Sequence, residues 1–265
     1  MSNTEYETLE IVRAGAVATV WMNRPAVHNA FNETLIADLT AVCAELAGDD
    51  QVRVVVLAGR GKSFSAGADL GWMQRAGQAS EADNLADARR LAEMLRALAE
   101  LGKPTIARVH GAALGGGLGL AAACDMCVAT PQAVFATSEV LFGIIPSAIS
   151  PYVIRAIGER QAARYFLSAE RMSAERAGQL GLAHEVVPAE ALDQRLEELT
   201  TALLRGGPQA QAAAKQLIAV SGVRAVSDAL IEETARRIAR LRSGAEAREG
   251  LGAFLEKRPP SWLAG

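Results

Sequence analysis

The 265-residue chain contains few of the residues that commonly build metal or redox centres. It has three cysteines and three histidines, and aromatic residues make up 5% of it. Cys124 and Cys127 have the spacing of a redox motif, but no second pair completes a structural zinc site, so we expect buried thiols. The histidines, His28, His110 and His184, show no metal-ligand spacing. The sequence therefore gives no indication of a metal site.

Long apolar runs and basic clusters are also missing. No uninterrupted hydrophobic stretch is long enough to span a membrane, and Met1–Glu5 lacks both the basic and the apolar part of a secretory signal. The formal net charge is −3, and no Lys/Arg cluster is present to bind nucleic acid or an anionic membrane. We therefore expect a cytoplasmic protein that acts on small molecules, with no nucleic-acid or membrane partner.

Three familiar motifs are incomplete or absent. The stretch Gly59–Ser63 ends like a phosphate-binding P-loop, but Val56 stands where the first glycine is required. A dinucleotide fingerprint that starts at Gly115 fails because Leu120 occupies the place of its last glycine. The nucleophile elbow G-x-S-x-G does not occur. We therefore expect neither a P-loop nucleotide site nor a nicotinamide cofactor.

The apolar residues that are present alternate between strand and helix periods. Half of the chain is hydrophobic, which is enough for one large core or a core with an appendage. Strands are predicted at 8–12 and 16–22, joined as a hairpin through Gly15, and again at 52–58, 105–109 and 126–130. From about residue 190 only helices are predicted. This pattern indicates a core over residues 1–190 and a helical region over residues 191–265.

Two segments of small residues each follow a predicted strand, namely 64–69 and 114–117. Small side chains let a ligand approach the backbone, where N–H groups can donate to a developing negative charge. Gly115–Gly117 would lie at the N-terminus of a buried helix, where unpaired amides and the helix dipole favour an anion. The two segments predict a site for a polarised carbonyl oxygen, and tight packing is the alternative explanation.

These segments belong to a longer series of motifs that runs through essentially the whole chain. In order, the motifs are Asn23-Arg24-Pro25, Asn29-Ala30, Phe64–Leu70, His110–Gly117, Cys124-Asp125, Glu139, Gly143–Pro146, Ala177–Leu182 and Phe254–Arg258. On these residues the chain resembles the crotonase (enoyl-CoA hydratase/isomerase) superfamily. The resemblance implies an α/β fold, the crotonase (ClpP-like) spiral of ββα units with a C-terminal helical trimerisation region. It also implies a homotrimer or a homohexamer of two trimers, and an acyl-CoA substrate whose coenzyme A replaces any separate cofactor.

The resemblance also implies roles for individual residues. The amides of Ala68 and Gly116 would form an oxyanion hole for the thioester oxygen as the α-carbon gains negative charge. Phe254 and Lys257 would reach the adenosine phosphate of a neighbouring subunit's CoA, although Lys257 as an ordinary charge in the C-terminal tail is the alternative. The residues implied to lie along the CoA moiety are Ala66, Asp69, Leu70 and Gly71.

One carboxylate of the family pattern is missing. The usual hydratase of the superfamily has two glutamates, one shortly after the glycine run and one before the G-x-I-P segment. The first position is Gly119 in this chain, and the second is Glu139, to which the resemblance assigns proton transfer. Burial beside Phe135 and Leu141 would raise the pKa of Glu139 toward a value suited to acid and base roles. An ordinary glutamate at a helix start is the alternative.

Finer similarity points to one group of hydratases. The segments 67–73, 115–119 and 148–153 are similar to bacterial 3-methylglutaconyl-CoA and isohexenylglutaconyl-CoA hydratases of leucine or acyclic terpene catabolism. The implied activity is a hydro-lyase reaction, the reversible hydration of an α,β-unsaturated acyl-CoA through a stabilised enolate. An enoyl-CoA double-bond isomerase and a noncatalytic acyl-CoA-binding member of the fold remain as alternatives. Arg75 is predicted to be a solvated helix charge and not the ligand of a distal substrate carboxylate.

Overall fold

The computed structural model describes residues 5–222 and 224–263. Residues 1–4, on which the expectation about a secretory signal rests, lie outside this range, as do residues 223, 264 and 265 of the predicted helical region. The strands are β1 (Leu9–Ala14), β2 (Val17–Met22), β3 (Val54–Gly59), β4 (Thr105–Val109), β5 (Ala112–Leu114), β6 (Met126–Ala129), β7 (Val134–Ala136), β8 (Met172–Ser173) and β9 (Glu185–Val186). The α-helices are α1 (Glu33–Gly48), α2 (Leu70–Ala76), α3 (Glu81–Ala99), α4 (Gly116–Ala123), α5 (Ser150–Ile157), α6 (Glu159–Ser168), α7 (Ala174–Leu180), α8 (Leu192–Leu204), α9 (Pro208–Ser221), α10 (Asp228–Arg242) and α11 (Ala245–Leu255).

The strands form two sheets within the described ranges. The larger sheet has six strands in the order β1-β2-β3-β4-β6-β9, and the smaller has three in the order β5-β7-β8. The predicted hairpin of β1 and β2 is confirmed, with Gly15 at a φ of +55° between the two strands. From β2 onward the neighbours in the larger sheet pair in parallel. All six residues of β3 are buried, as expected of a parallel strand with both faces covered.

The parallel pairing of β3 with β4 decides where the small-residue segments lie. Val55 is opposite Thr105 in the register, so the two strands run side by side and end at the same edge of the sheet. The chain leaving β3 becomes the first segment, and the chain leaving β4 continues through β5 into the second. Ligands in open α/β sheets bind at such an edge, beyond the carboxyl ends of the strands. The sheet therefore brings the two predicted halves of the site together.

Helices cover both faces of the larger sheet. On one face, α1, α3 and α4 contribute to a large buried cluster that includes Leu35, Met94 and Leu118. On the other face, Leu192 and Leu196 of α8 pack with sheet residues of β3, β4 and β6. The predicted helical character beyond residue 190 is confirmed by α8 to α11. The position of a boundary at residue 190 stays a prediction, since α8 shares a buried cluster with the sheet.

The sequence Ser150-Pro151 favours a helix cap at Ser150, but the structure places Ile149 at the cap position of α5. Ser150 is the first residue of the helix, and its hydroxyl donates to the carbonyl of Ser147 at 2.8 Å. Pro151 lies in the first turn, where proline is well tolerated. The three cysteines are buried, as predicted, and burial raises the pKa of Cys127 to about 12. In the part of the chain that the structure describes, no helix is long and apolar enough to cross a membrane.

Candidate active site

The amide of Ala68 is left free by the way its segment is anchored. Ala68 forms a parallel bridge with Phe31, in which the Phe31 amide donates to the carbonyl of Gly67 at 2.6 Å and the Asp69 amide donates to the carbonyl of Phe31 at 2.8 Å. These bonds engage the peptide groups on either side of Ala68. No acceptor for the Ala68 amide itself is found among the described residues. Ala68 is exposed, so this amide is available to a ligand.

The two small-residue segments touch each other through their glycines. Gly67 has a φ of +88°, and a Cβ added to it would lie 2.9 Å from the carbonyl oxygen of Leu114. A Cβ on Gly115 would lie 3.8 Å from the Cα of Gly67. A bridge between Ser65 and Ala113, with the Leu114 amide donating to Ser65 at 2.9 Å, fixes this approach. Glycine is needed at Gly67 because a side chain there would push the segments apart, and at Gly115 because its φ of +49° is strained for other residues.

Asn29 supports the first segment from the protein interior. Its side chain is fully buried, and Nδ2 donates to the carbonyl of Ser63 at 2.8 Å and to that of Arg60 at 2.9 Å. Its Oδ1 accepts from the amide of Arg24 at 2.9 Å. The sequence showed Asn29 only as part of a motif. A buried asparagine with all of these bonds satisfied holds the loop in one conformation.

The second segment turns into α4 at Gly116. The amides of the first helical turn have no partner inside the helix, and the Gly116 amide donates no hydrogen bond within residues 5–222 and 224–263. A Cβ on Gly116 would lie 2.7 Å from Cδ2 of Phe31, and one on Gly117 would lie 2.9 Å from the Ser65 Cβ. Close packing and a free amide therefore occur together, so the packing explanation does not exclude the anion site.

Glu139 reaches the same place from a separate element. It starts a 3-10 helix, Glu139–Phe142, and its Oε1 lies 3.1 Å from where a Cβ on Gly115 would stand. Its Oε2 is buried and has no hydrogen-bond partner among the described residues. Burial raises the pKa of Glu139 above its ordinary value, against the opposing effect of the Glu139 and Ser138 amides. An ordinary glutamate at a helix start would keep its carboxylate in water.

Of the two apolar residues expected beside Glu139, one is buried and the other is exposed. Phe135 is fully buried, but Leu141 is 70% exposed and does not cover the carboxylate. A 3-10 helix has three residues per turn, so Glu139 and Leu141 lie on different faces while Glu139 and Phe142 share one. Phe142 is itself exposed. The glycine segment at Gly115 lies against the Glu139 carboxylate, whereas the side chain of Leu141 is turned to solvent.

The space beside Gly119, where the sequence lacks a carboxylate, is filled by Ile149. A Cβ on Gly119 would lie 2.8 Å from the Ile149 Cβ and closer still to its Cγ2. Ile149 is 3% exposed. The sequence showed Ile149 only inside a motif of similarity, because a contact between residues 30 positions apart leaves no local pattern.

Asp69, one of the residues implied to contact CoA, caps α2. Its Oδ1 accepts from the amides of Gly71 at 2.9 Å and Trp72 at 3.2 Å, and its Oδ2 lies 3.2 Å from Nη2 of Arg24. Burial acts to raise its pKa, but the Trp72 amide and the Arg24 guanidinium outweigh burial and hold the pKa of Asp69 below its ordinary value. The structure therefore gives Asp69 a clear role in organising the segment, and a contact with CoA stays a prediction.

The neighbouring residues implied for CoA lie on the same segment. Leu70 is 83% exposed, which is unusual for a leucine. Its side chain leaves an apolar surface beside Ala68. Ala66 is half-buried, and its amide is already used by the carbonyl of His28 at 2.9 Å. Gly71 lies in the first turn of α2. These positions are compatible with a ligand that passes along the outside of the segment.

Phe254 and Lys257 lie at the C-terminal end of α11, and both side chains are exposed. In the described part of this single chain, no hydrogen bond or ion pair links them to the two glycine segments. Arg75 pairs with Glu33 at 2.9 Å on the surface, which confirms the prediction of a solvated helix charge. Across residues 5–222 and 224–263, the His, Cys, Asp and Glu side chains form no group of three or more that could hold a metal ion.

Comparison with known proteins shows the family. Residues 13–264 match the family model described as enoyl-CoA hydratase/isomerase. The chain belongs to this family. The 2,3-dehydroadipyl-CoA hydratase of Escherichia coli K12 is 35% identical to it over 256 residues, which cover 96% of this chain and 98% of the relative. The trans-2-decenoyl-[acyl-carrier-protein] isomerase of Streptococcus mutans is 30% identical over 254 residues, which cover 93% of this chain and 94% of the relative.

A solved structure of a similar protein gives the same fold. The crystal structure of an enoyl-CoA hydratase from Shewanella pealeana superposes with a TM-score of 0.95 at 40% identity, over 98% of this chain and 97% of that one. The crotonase fold and an enzyme of the enoyl-CoA hydratase type, both implied by the sequence resemblance, are thereby confirmed. These relatives include hydratases and an isomerase, so membership of the family does not by itself determine which reaction is catalysed.

Proposed function

We propose that the protein catalyses the reversible hydration of an α,β-unsaturated acyl-CoA thioester, with Glu139 as the acid and base. The observation that carries this proposal is the position of Glu139, whose buried carboxylate oxygen has no partner in the described chain and whose other oxygen approaches Gly115. The free amides belong to Ala68 and Gly116, the residues that follow the two glycines at which the segments meet, Gly67 and Gly115. A carboxylate and two amide donors are the groups that enolate chemistry requires.

The reaction follows from these groups in two steps. The Glu139 carboxylate removes a proton from water as the water oxygen bonds to C3, and the C2=C3 electrons move through C1 to the thioester oxygen. The amides of Ala68 and Gly116 stabilise the resulting enolate. Its electrons then return to C2, which takes the proton from the Glu139 carboxylic acid. One carboxylate thus gives back the proton that it removed, and its raised pKa suits both roles.

We further propose a branched glutaconyl-CoA, such as 3-methylglutaconyl-CoA or isohexenylglutaconyl-CoA, as the substrate. The support is the finer similarity of the sequence, together with apolar side chains on the element that carries Glu139. Phe142 shares a face with Glu139, and Ile144 and Ile145 are exposed immediately after it. These side chains offer apolar contact to a branched acyl group. No arginine or lysine is assigned to the distal carboxylate.

A double-bond isomerase is the second candidate, and the filled space beside Gly119 favours it. Shuttling a proton between two substrate carbons requires one carboxylate and an oxyanion hole, and the Streptococcus mutans relative is named an isomerase. Both reactions would use the same residues. They differ in whether an oxygen atom from water enters the product.

The test is turnover in water labelled with ¹⁸O, using 3-methylglutaconyl-CoA and a straight-chain trans-2-enoyl-CoA in parallel. Hydration places the label in the product, whereas isomerisation moves the double bond without it. Glu139→Gln should abolish turnover with little loss of acyl-CoA binding, because the amide keeps the size of the side chain but cannot exchange the proton. Retained turnover in that variant would overturn the role of Glu139, and binding without turnover in the wild-type protein would indicate a noncatalytic member of the fold.

A further inference from the structure

We propose that Ile149 is the residue that restricts this site to a single carboxylate, by occupying the space that any side chain at position 119 would need. The role of Glu139 in this inference rests on the proposed function. The exclusion of a side chain at position 119 rests on packing alone. It makes Ile149 a positioning residue, because it acts through what it excludes and not through contact with a reacting atom.

Gly119 lies on α4, the helix into which the glycine segment leads. Its amide donates to the carbonyl of Gly115 at 3.0 Å, so it stands one helical turn along α4 from the glycine that Glu139 approaches. A side chain on residue 119 would start from that turn. In this chain it would meet Ile149 before it reached any polar group.

Ile149 cannot easily move away. It is the cap residue of α5, and its carbonyl accepts from the amides of Tyr152 and Val153, both at 3.1 Å. Its own Cβ is 2.8 Å from the position of a Cβ on Gly119, and a Cβ does not move when the side chain changes rotamer. The side chain is also β-branched, which leaves few alternative χ1 angles. Relief would require a shift of the α5 backbone.

The glycine segment therefore has the aliphatic side chain of Ile149 on one side and the carboxylate of Glu139 on the other. No second acid or base can stand next to the first turn of α4 while Ile149 is present. Protons in the proposed reaction therefore pass through Glu139 alone. Shortening Ile149 should make room for a carboxylate at position 119, and this gives two independent tests.

The first test measures thermal stability in a cycle of Gly119→Ala, Ile149→Ala and the double variant. Gly119→Ala should lower the melting temperature by roughly 3–10 °C through overpacking. In the Ile149→Ala background the same change should lower it by clearly less, because the closest atom, Cγ2, is gone and only the contact with the Cβ of residue 149 remains. Gly178→Ala is the matched control, since a Cβ there meets the Val186 Cγ2 at an ordinary 3.5 Å. Additive losses in the double variant would overturn the exclusion.

The second test asks whether the freed space can hold a working carboxylate. The test compares two variants that both carry Glu139→Gln and Ile149→Ala, one of which also carries Gly119→Glu. The added glutamate should raise the hydration rate with the better substrate roughly tenfold or more. With Glu139 intact, Gly119→Glu together with Ile149→Ala should add a second ionisation to the pH profile of kcat. No gain and an unchanged profile would overturn the proposal for proton transfer. Should the wild-type protein hydrate none of the substrates, the proposed function falls, and the stability cycle still decides the exclusion.

Discussion

At the scale of the residue, Glu139 combines burial with an oxygen that lacks a partner in the described chain. A buried carboxylate usually gains hydrogen bonds that hold its charge, as Asp69 does from two amides and Arg24. Glu139 has no such bonds to its buried oxygen in the described chain, so Asp69 and Glu139 have pKa values shifted in opposite directions. The contrast separates a structural acid from one suited to proton transfer.

The raised pKa of Glu139 gives a prediction about stability. The fold binds the Glu139 proton more tightly than the unfolded chain, so this stabilisation is complete below the unfolded pKa and is lost as the pH rises through the folded pKa. At pH 7 the ionised side chain therefore destabilises the fold. Glu139→Gln should raise the melting temperature at pH 7, because it removes this charge, and the gain should shrink at pH 4, where the folded protein keeps the Glu139 proton.

Differential scanning calorimetry at the two pH values measures this effect. Glu197→Gln, on the exposed face of α8, is the control and should leave the melting temperature unchanged at both. An equal stability change at pH 7 and pH 4 would show that the effect of Glu139→Gln is one of packing and not of charge.

Gly116 gives a prediction about the oxyanion donors. Gly116→Ala should reduce the hydration rate by about 100- to 1000-fold, because the added Cβ would lie 2.7 Å from Cδ2 of Phe31 and would displace the amide. Acyl-CoA binding should weaken much less, since the donor acts mainly on the charged transition state. Steady-state kinetics with Gly178→Ala as the control measure this. A variant with wild-type kcat would show that the Gly116 amide is not a donor in the transition state.

The residues of the site could be predicted from the sequence more readily than their surroundings. Ala68, Gly116 and Glu139 stand in motifs, and the structure brings their segments together at Gly67 and Gly115. The packing of Ile149 on Gly119 could not be predicted, because it joins two helices that are distant along the chain. The capping role of Asp69 was also missed, although an aspartate directly before a helix is a recognisable capping signal.

At the scale of the element, strands of four residues or more could be predicted, including β6, and the shorter ones could not. The strands β1 to β4 and the helices α1 and α3 carry enough apolar residues to show a period. The smaller sheet was missed, because β5, β7 and β8 have three residues or fewer and depend on pairing with one another. That sheet fixes the glycine segment, as the Gly115 amide donates to the carbonyl of Ala136 at 2.8 Å.

An ion pair joins the C-terminal helices to the sheet, and it gives a prediction at this scale. Lys215 of α9 lies 2.8 Å from Oδ2 of Asp125, which also accepts from the amide and the hydroxyl of Thr105. Both charged side chains are largely buried. Lys215→Met should destabilise the protein by about 2 kcal/mol, because it leaves Asp125 without its cation in a poorly solvated place.

Urea denaturation measures this loss. Arg236→Met is the control, because Arg236 pairs with Glu232 on the exposed face of α10 and should change the stability by less than about 0.5 kcal/mol. Equal effects of the two substitutions would show that the Lys215 pair does not anchor α9.

At the scale of the whole molecule, the C-terminal helices expose an apolar surface that a single chain does not cover. In the described residues, the large apolar side chains exposed on and between α9, α10 and α11 are Leu217, Ile218, Val226, Ile231, Ile238, Leu251, Phe254 and Leu255. Apolar patches of this kind are typical of subunit interfaces. Together with the family resemblance they support the proposed homotrimer or homohexamer, which light scattering would detect as three or six times 27.8 kDa.

The role expected of Lys257 depends on the oligomeric state. Its side chain is exposed just after the end of α11, and in the described residues it makes no hydrogen bond or ion pair with the glycine segments of its own chain. If Lys257 reaches the adenosine phosphate of CoA bound to a neighbouring subunit, Lys257→Ala should raise the KM for an enoyl-CoA roughly three- to tenfold, because it removes one charge-assisted contact. The kcat should stay unchanged, since the lysine would bind substrate and transition state equally.

The sharpest comparison uses the same acyl group carried by pantetheine, which lacks the adenosine phosphate. Lys257→Ala should leave the KM for this thioester unchanged, whereas a general disturbance of the fold would raise the KM for both substrates. Arg89→Ala, at an exposed position on α3, removes a positive charge elsewhere and should affect neither. An unchanged KM for the enoyl-CoA would show that Lys257 is an ordinary surface charge. A monomeric mass would also contradict the contact, because the contact requires a neighbouring subunit.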